Sequence, residues 1–124
     1  MNNEIVWSPP EEIVKNSKLT KFLQFCKLSD YDELEKKSYA DPGWLWDNVI
    51  KFSDLKFYKS YEKIMDDSKG APWTKWCVGG KTNIVLNCID RHKDKKFFNE
   101  TFIFAEREDG TKSSITYEEF NKQI

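Results

Sequence analysis

The most reactive chemistry in this chain sits in the run Asp90-Arg91-His92, in the adjacent carboxylates Asp66-Asp67 and Glu11-Glu12, and in Cys26, Cys77 and Cys88. Asp90, Arg91 and His92 gather an acid, a cation and an imidazole, but consecutive helical residues point in different directions and cannot converge on one substrate. A histidine without a partner nucleophile makes no triad, so the run reads as a local ion pair beside a helix-end histidine. Metal and acid–base pairs are assembled from spaced carboxylates on rigid elements, so the two adjacent pairs read as solvated caps and loop charges. Three cysteines, an odd number without paired spacing, suggest neither a disulfide framework nor a zinc site and read as buried free thiols. The five glycines form no phosphate-cradling pattern, and Gly79-Gly80 reads as a tight turn. Trp44, Trp46, Trp73 and Trp76 suggest core or interface rather than a ligand platform. No catalytic, cofactor-binding or metal-binding residue is expected on these grounds.

The elements that would position these residues announce themselves by their caps. Ser8-Pro9-Pro10-Glu11 reads as a helix start with Ser8 at the N-cap and Glu11 closing a capping box. Ser17 then precedes Leu19, Phe22, Leu23 and Cys26, whose spacing puts all four on one face of a second helix. Asp30 with Glu33, and Asp41 with Pro42, mark two more helices, the second carrying Trp44, Leu45, Trp46, Val49 and Ile50. The aromatic stretch from Phe52 to Tyr61 is compatible with helix or extended chain, and Ser68-Lys69-Gly70-Ala71-Pro72 reads as a surface loop. Val85, Cys88, Ile89 and His92 predict a helix from about Thr82 to Lys93, with His92 closing its buried face. Alternation from Phe102 to Arg107, then Asp109-Gly110 and Ser113 to Thr116, is a hairpin signature. Thr116 with Glu119 opens a last helix, about eight residues before the chain stops. The expected fold class is α+β: a mainly helical N-terminal segment, a β-hairpin and a truncated C-terminal helix.

Composition bounds the rest. A chain of 124 residues fits one domain at most, and an aromatic share of 15% argues for a folded body. Twenty basic residues nearly cancel twenty-one acidic ones, leaving no field to hold nucleic acid. Only Arg91 and Arg107 offer the forked geometry that phosphate or guanine recognition favours. No window approaches the roughly 20 apolar residues of a membrane span, and Met1 to Trp7 shows no leader pattern, so a cytoplasmic protein is expected.

Several stretches resemble a known family. Trp7-Ser8-Pro9-Pro10-Glu11-Glu12-Ile13 is similar to the opening of acetyl-CoA and acetoacetyl-CoA synthetases, where a Trp-x-Pro stretch leads into the first helix. Ser38, Asp41-Pro42 and Trp46 resemble a Ser followed by a Phe-Trp pair, with Leu45 where Phe is usual. The stretch from Trp73 to Asn83 is similar to Lys-Trp-Phe-x-Gly-Gly-x-Leu-Asn, with Cys77 and Thr82 standing at the Phe and Leu positions. Asn87-Cys88-Ile89-Asp90-Arg91-His92 matches Asn-Cys-Leu-Asp-Arg-His almost letter for letter, and Ile115 to Phe120 resembles Ile-Thr-Tyr-x-Glu-Leu. The matches run in order along nearly the whole chain.

This resemblance implies the N-terminal region of an AMP-forming acyl-CoA ligase. Such an enzyme activates a carboxylic acid with Mg-ATP to an acyl-adenylate and passes the acyl group to coenzyme A. The family's phosphate loop, adenine-binding segments and C-terminal lysine have no counterpart here, so ATP, Mg and CoA are expected of the full-length enzyme and no cofactor of this chain. The expected partner is the remainder of the synthetase chain, with this region acting as scaffold. A hairpin and a short helix gain little alone, so the chain is expected to be part of a larger sheet-and-helix layer. The alternative is a stand-alone binding subunit docking on a separately encoded catalytic part through the Phe102–Thr116 hairpin edge.

Overall fold

Local capping chemistry starts most of the helices. In the computed structural model, which describes residues 6–124, α1 spans Glu11–Asn16, α2 Lys18–Cys26, α3 Tyr31–Ala40 and α4 Pro42–Phe52. The stretch read from Met1 to Trp7 lies outside the described residues as far as residue 5. The Ser17 hydroxyl accepts from the Thr20 backbone N–H, Asp30 from Glu33 and Asp41 from Trp44, each satisfying a donor that the first helical turn leaves without a partner. The first start differs from its expectation. Pro10, not Ser8, occupies the N-cap of α1 and no side chain caps it. The residue before a proline is driven out of the helical region, so Pro9 cannot join the helix and Ser8 lies too far upstream to reach it.

The described residues divide into two compact units, one running to Leu55 and the other spanning Lys56–Ile124. In the first, α2 packs on α4 through Phe22, which is 8% exposed and meets Phe52 edge-on at 5.2 Å between centroids. Leu34 of α3 is buried, and the Lys37 ammonium lies 4.2 Å from the centre of the Trp44 ring. Of the stripe predicted for α2, Phe22 is buried and Leu23 and Cys26 are half-buried, while Leu19 stays exposed.

Three of these caps titrate. The Asp30 carboxyl is held below the usual carboxylate range by the Glu33 backbone N–H and the Ser29 hydroxyl, and Glu33 by the Ser29 N–H and hydroxyl. At the other end of the chain, the Thr116 N–H and hydroxyl lower Glu119. A carboxyl lowered in the folded chain favours folding above its ordinary pKa of about 4 and ceases to do so as pH falls through the lowered value. The urea midpoint should therefore hold near neutrality and fall between about pH 5 and about pH 3. Asp30→Asn, which keeps a capping oxygen but does not titrate, should flatten that fall. A midpoint that stays level down to pH 3 would contradict the capping account.

In the second unit, β1 (Lys63–Asp66) pairs antiparallel with β2 (Lys75–Val78), in register Lys63 to Val78 and Met65 to Trp76. This hairpin replaces the helix-or-extended ambiguity before Ser68, and its connection holds the expected loop with a 3₁₀ turn at Ala71–Trp73. Gly79-Gly80 then forms the expected tight turn: Gly79 has φ +77°, and the Gly80 N–H donates to the Cys77 carbonyl at 2.9 Å. A Cβ on Gly80 would lie 2.9 Å from that carbonyl oxygen and 3.1 Å from the Tyr61 Cβ. Gly80→Ala should accordingly destabilise this unit by about 1–3 kcal/mol in urea unfolding followed by circular dichroism. Unchanged stability would mean the turn opens freely.

The helix expected from about Thr82 to Lys93 is shorter. The ladder of α5 runs only over Ile84–Cys88, and a 3₁₀ turn follows at Asp90–His92. The break falls at Ile89, whose φ of −120° departs from helical values and whose side chain, at 2% exposure, is the most buried large one among the described residues. Burial of that one side chain overrides the 3.6-residue period, and Cys88 is left exposed instead of lying on a buried face. A further 3₁₀ turn at Lys96–Asn99 leads into β3 (Thr101–Glu106), which pairs with β4 (Lys112–Thr116) as the alternation predicts. Gly110, at φ +79°, makes the turn. The last helix, α6 (Tyr117–Asn121), carries the full Thr116–Glu119 capping box.

Candidate functional site

The side chains that α5, β3 and α6 turn toward one another enclose an open hollow of about 300 Å³. Ile84, Val85, Cys88 and Ile89 form one wall, and Phe102, Phe120 and Ile124 the other. The helix spacing of Val85, Cys88 and Ile89 and the inward position of Phe102 on β3 bring them together. Phe102 stands 5.1 Å from Phe120 and 4.4 Å from Tyr117, and Tyr117 in turn meets Phe97 at 5.7 Å. Ile84 and Ile124 remain 76% and 56% exposed at the rim.

Asn87 fastens this layer to the start of the unit. Its Oδ1 accepts from the Lys56 N–H at 2.7 Å, and its Nδ2 donates to the Lys56 carbonyl at 3.0 Å and to the Thr82 hydroxyl oxygen at 3.1 Å. The Thr82 hydroxyl itself donates to the same Lys56 carbonyl at 2.7 Å. Thr82, which departs from the family pattern, thus serves as a hydrogen-bonding post instead of an apolar packing group. The one amide reproduces both backbone bonds of a strand neighbour. Sequence reasoning marked Asn87 only as part of a motif, because its partner lies 31 positions away.

The residues singled out for reactivity do not converge. Asp90 forms an ion pair with Lys93 at 2.8 Å, and His92 stacks obliquely on Phe97 with ring centres 5.1 Å apart. Its Nδ1 is buried with no hydrogen-bond partner among the described residues. The Ser68 hydroxyl and N–H, and then Lys63 at 3.4 Å, hold the Asp66 carboxyl below the usual carboxylate range. Glu11 and Glu12 occupy the exposed first turn of α1. Burial raises the Cys26 thiol, with nearby Lys37 opposing, so this sulfur stays protonated and weakly nucleophilic. Trp46 on α4 is 47% exposed, while Trp73 and Trp76, in the second unit, are 71% and 47% exposed. They act as surface rather than as core.

A nucleoside triphosphate with Mg requires converging cations, backbone N–H groups and carboxylates. The hollow offers none of these, because its lining is aliphatic, aromatic and one thiol. Among the described residues no three His, Cys, Asp or Glu side chains gather as a metal site. The lining of the hollow is of the kind that packs against other apolar side chains.

A family model described as the acetyl-coenzyme A synthetase N-terminus matches residues 31–88. The chain is 33% identical over 110 residues to an acetyl-coenzyme A synthetase of Helicobacter pylori, a match covering 88% of this chain and 16% of that protein. It is 29% identical over 116 residues to one of Chlorobaculum tepidum, covering 94% of this chain and 16% of the relative. With one of Wolinella succinogenes the identity is 33% over 109 residues. The region from Tyr31 to Cys88 that the family model spans takes in α3, α4, the β1–β2 hairpin, Gly79-Gly80 and the Asn87 staple. Over most of its length this chain matches the N-terminal region of acetyl-coenzyme A synthetase-type enzymes, and it spans about 16% of the length of the relatives named.

Proposed function

We propose that this chain serves as the structural N-terminal part of an AMP-forming acyl-CoA synthetase. The enzyme would convert a carboxylate, ATP and CoA into acyl-CoA, AMP and pyrophosphate, in the cytoplasm. Its contribution is scaffold and docking surface, and the remainder of the synthetase supplies the groups that hold ATP, Mg and CoA. The observation that carries this reading is the apolar hollow of α5, β3 and α6, whose rim residues Ile84 and Ile124 are exposed to solvent. It presents packing side chains and no converging polar groups. The matched relatives support the same reading, since each is matched over only 16% of its length.

The test is the intact mass of the native polypeptide, captured from its source cells with an antibody to this chain. The expected result is several times 14.7 kDa. The 124-residue chain alone should give no acetate-dependent exchange between pyrophosphate and ATP. Exchange activity in the pure chain would overturn the scaffold role. A native mass near 14.7 kDa would favour a second reading, a stand-alone non-catalytic subunit that docks through the β3–β4 hairpin edge. The 81% exposure of Phe104 on β3 is what favours that alternative.

A further inference from the structure

The tip of the β3–β4 hairpin carries the only Asp-Gly pair in the sequence, Asp109-Gly110. The residues from Glu106 to Lys112 are all exposed, and none has an apolar side chain that would favour burial against further chain. Glycine has no Cβ to shield its amide nitrogen from the side chain before it. A Cβ built on Gly110 would meet nothing within 4 Å, so no neighbouring group crowds the turn. The folded turn nevertheless binds both groups that could react with each other. The Gly110 N–H donates to the Arg107 carbonyl at 2.9 Å, and the Asp109 Oδ1 accepts from the Thr111 N–H at 2.8 Å. The Thr111 hydroxyl and N–H also hold the Asp109 carboxyl below the usual carboxylate range, which keeps it ionised. A carboxylate is a poor electrophile, and one held by Thr111 is not free to swing onto the Gly110 nitrogen.

We propose that Asp109 is a modification site, converted to isoaspartate without an enzyme whenever this turn opens. The Gly110 nitrogen attacks Cγ of the protonated Asp109 carboxyl, and the N–Cγ bond that forms closes a succinimide ring. The amide proton and the carboxyl OH leave together as water. A second water then opens the ring. Addition at Cγ restores aspartate, while addition at the backbone carbonyl of Asp109 leaves the chain running through Cγ and frees an α-carboxylate. One water is lost and one gained, so the mass is unchanged and no oxidant or partner takes part. The product carries one more carbon in its backbone. The turn of a hairpin fixes its register, so the longer link should break the bond from the Arg107 N–H to the Thr111 carbonyl and the pairing of Glu106 with Lys112 beside it. The modification marks chains whose hairpin has opened and keeps that hairpin from closing in register. It concerns the hairpin alone and does not depend on the ligase reading.

Ageing the 124-residue chain at mildly acidic pH, with and without urea, tests it. Each aspartate-containing peptide is then scored by methylation with a carboxyl methyltransferase specific for isoaspartate. In urea, isoaspartate should accumulate at Asp109 ahead of every other aspartate, and Gly110→Ala should remove most of it by shielding the nitrogen. That comparison is made on unfolded chains, so it holds whether or not the variant folds. Without urea the rate at Asp109 should be at least about tenfold lower, because a reaction through an open state follows the population of that state. In chains enriched in isoaspartate, the Arg107 amide should exchange its hydrogen faster than in fresh chains. Isoaspartate absent from Asp109 or spread over the aspartates without preference, no effect of Gly110→Ala in urea, equal rates folded and unfolded, or an Arg107 amide still protected after conversion would each overturn the proposal.

Discussion

Ile89→Ala is expected to cost about 2–5 kcal/mol, the range for removing a large aliphatic group from a packed interior. Ile89 is 2% exposed and floors the hollow between α5 and the β3–α6 layer. Among the described residues the other buried large apolar side chains are Phe22 and Leu34, both in the first unit. A loss of that size is a large fraction of the roughly 5–15 kcal/mol that stabilises an ordinary domain, so the Lys56–Ile124 unit should unfold at low urea or at ambient temperature. Ile84→Ala removes the same atoms from the same helix at a side chain 76% exposed, and should change stability by no more than about 0.5 kcal/mol. Chemical unfolding followed by far-ultraviolet circular dichroism compares the two. Equal losses would mean that Ile84 is buried in solution or that Ile89 is not, and either outcome contradicts the described packing.

Asn87→Ala should be the next most damaging change, at about 2 kcal/mol, because it removes two bonds to the Lys56 backbone and one to Thr82, each net worth roughly 0.5–1.5 kcal/mol. The contacts lie near the surface, where water re-satisfies part of what is lost, and this keeps the expected cost below the sum. Asn87→Asp preserves the acceptor for the Lys56 N–H but cannot donate to the Lys56 carbonyl, so it should fall between Ala and the parent above pH 5. Thr82→Val tests the same post from its other side and should cost about 1 kcal/mol through the bond to the Lys56 carbonyl. Losses under about 0.5 kcal/mol for Asn87→Ala would show that residue 56 is held by other contacts.

These two predictions separate what a linear reading sees from what it misses. Asp30 and Glu33, Asp41 and Trp44, Thr116 and Glu119, and the Asp109-Gly110 turn are interactions between residues at most four positions apart. The free energy of such a cap is decided within one turn of chain, and each is found where its residue types require. The exception, Ser8, failed for an equally local reason, the restriction that Pro10 imposes on Pro9. The alternation of β3 with its turn and partner was legible in the same way, since period-2 patterning and turn chemistry both lie within sixteen residues, Thr101 to Thr116.

The sequence by itself determined the helix starts after the first, the second hairpin, the tight turn at Gly79-Gly80 and the family motifs. Tertiary structure decided three things that no local pattern encodes. The β1–β2 pairing joins Lys63 to Val78 across a loop, in strands too short and too mixed in polarity to announce themselves. The end of α5 is set by the burial of Ile89, because the free energy of enclosing that side chain exceeds the preference of a few residues for a continuous helix. The role of Asn87 depends on a backbone 31 positions away. The candidate site falls on the same divide. Its apolar residue types could be read from the chain, but their gathering into one exposed hollow required α5, β3 and α6 to be placed together, since hydrophobic burial has no directional signature in sequence.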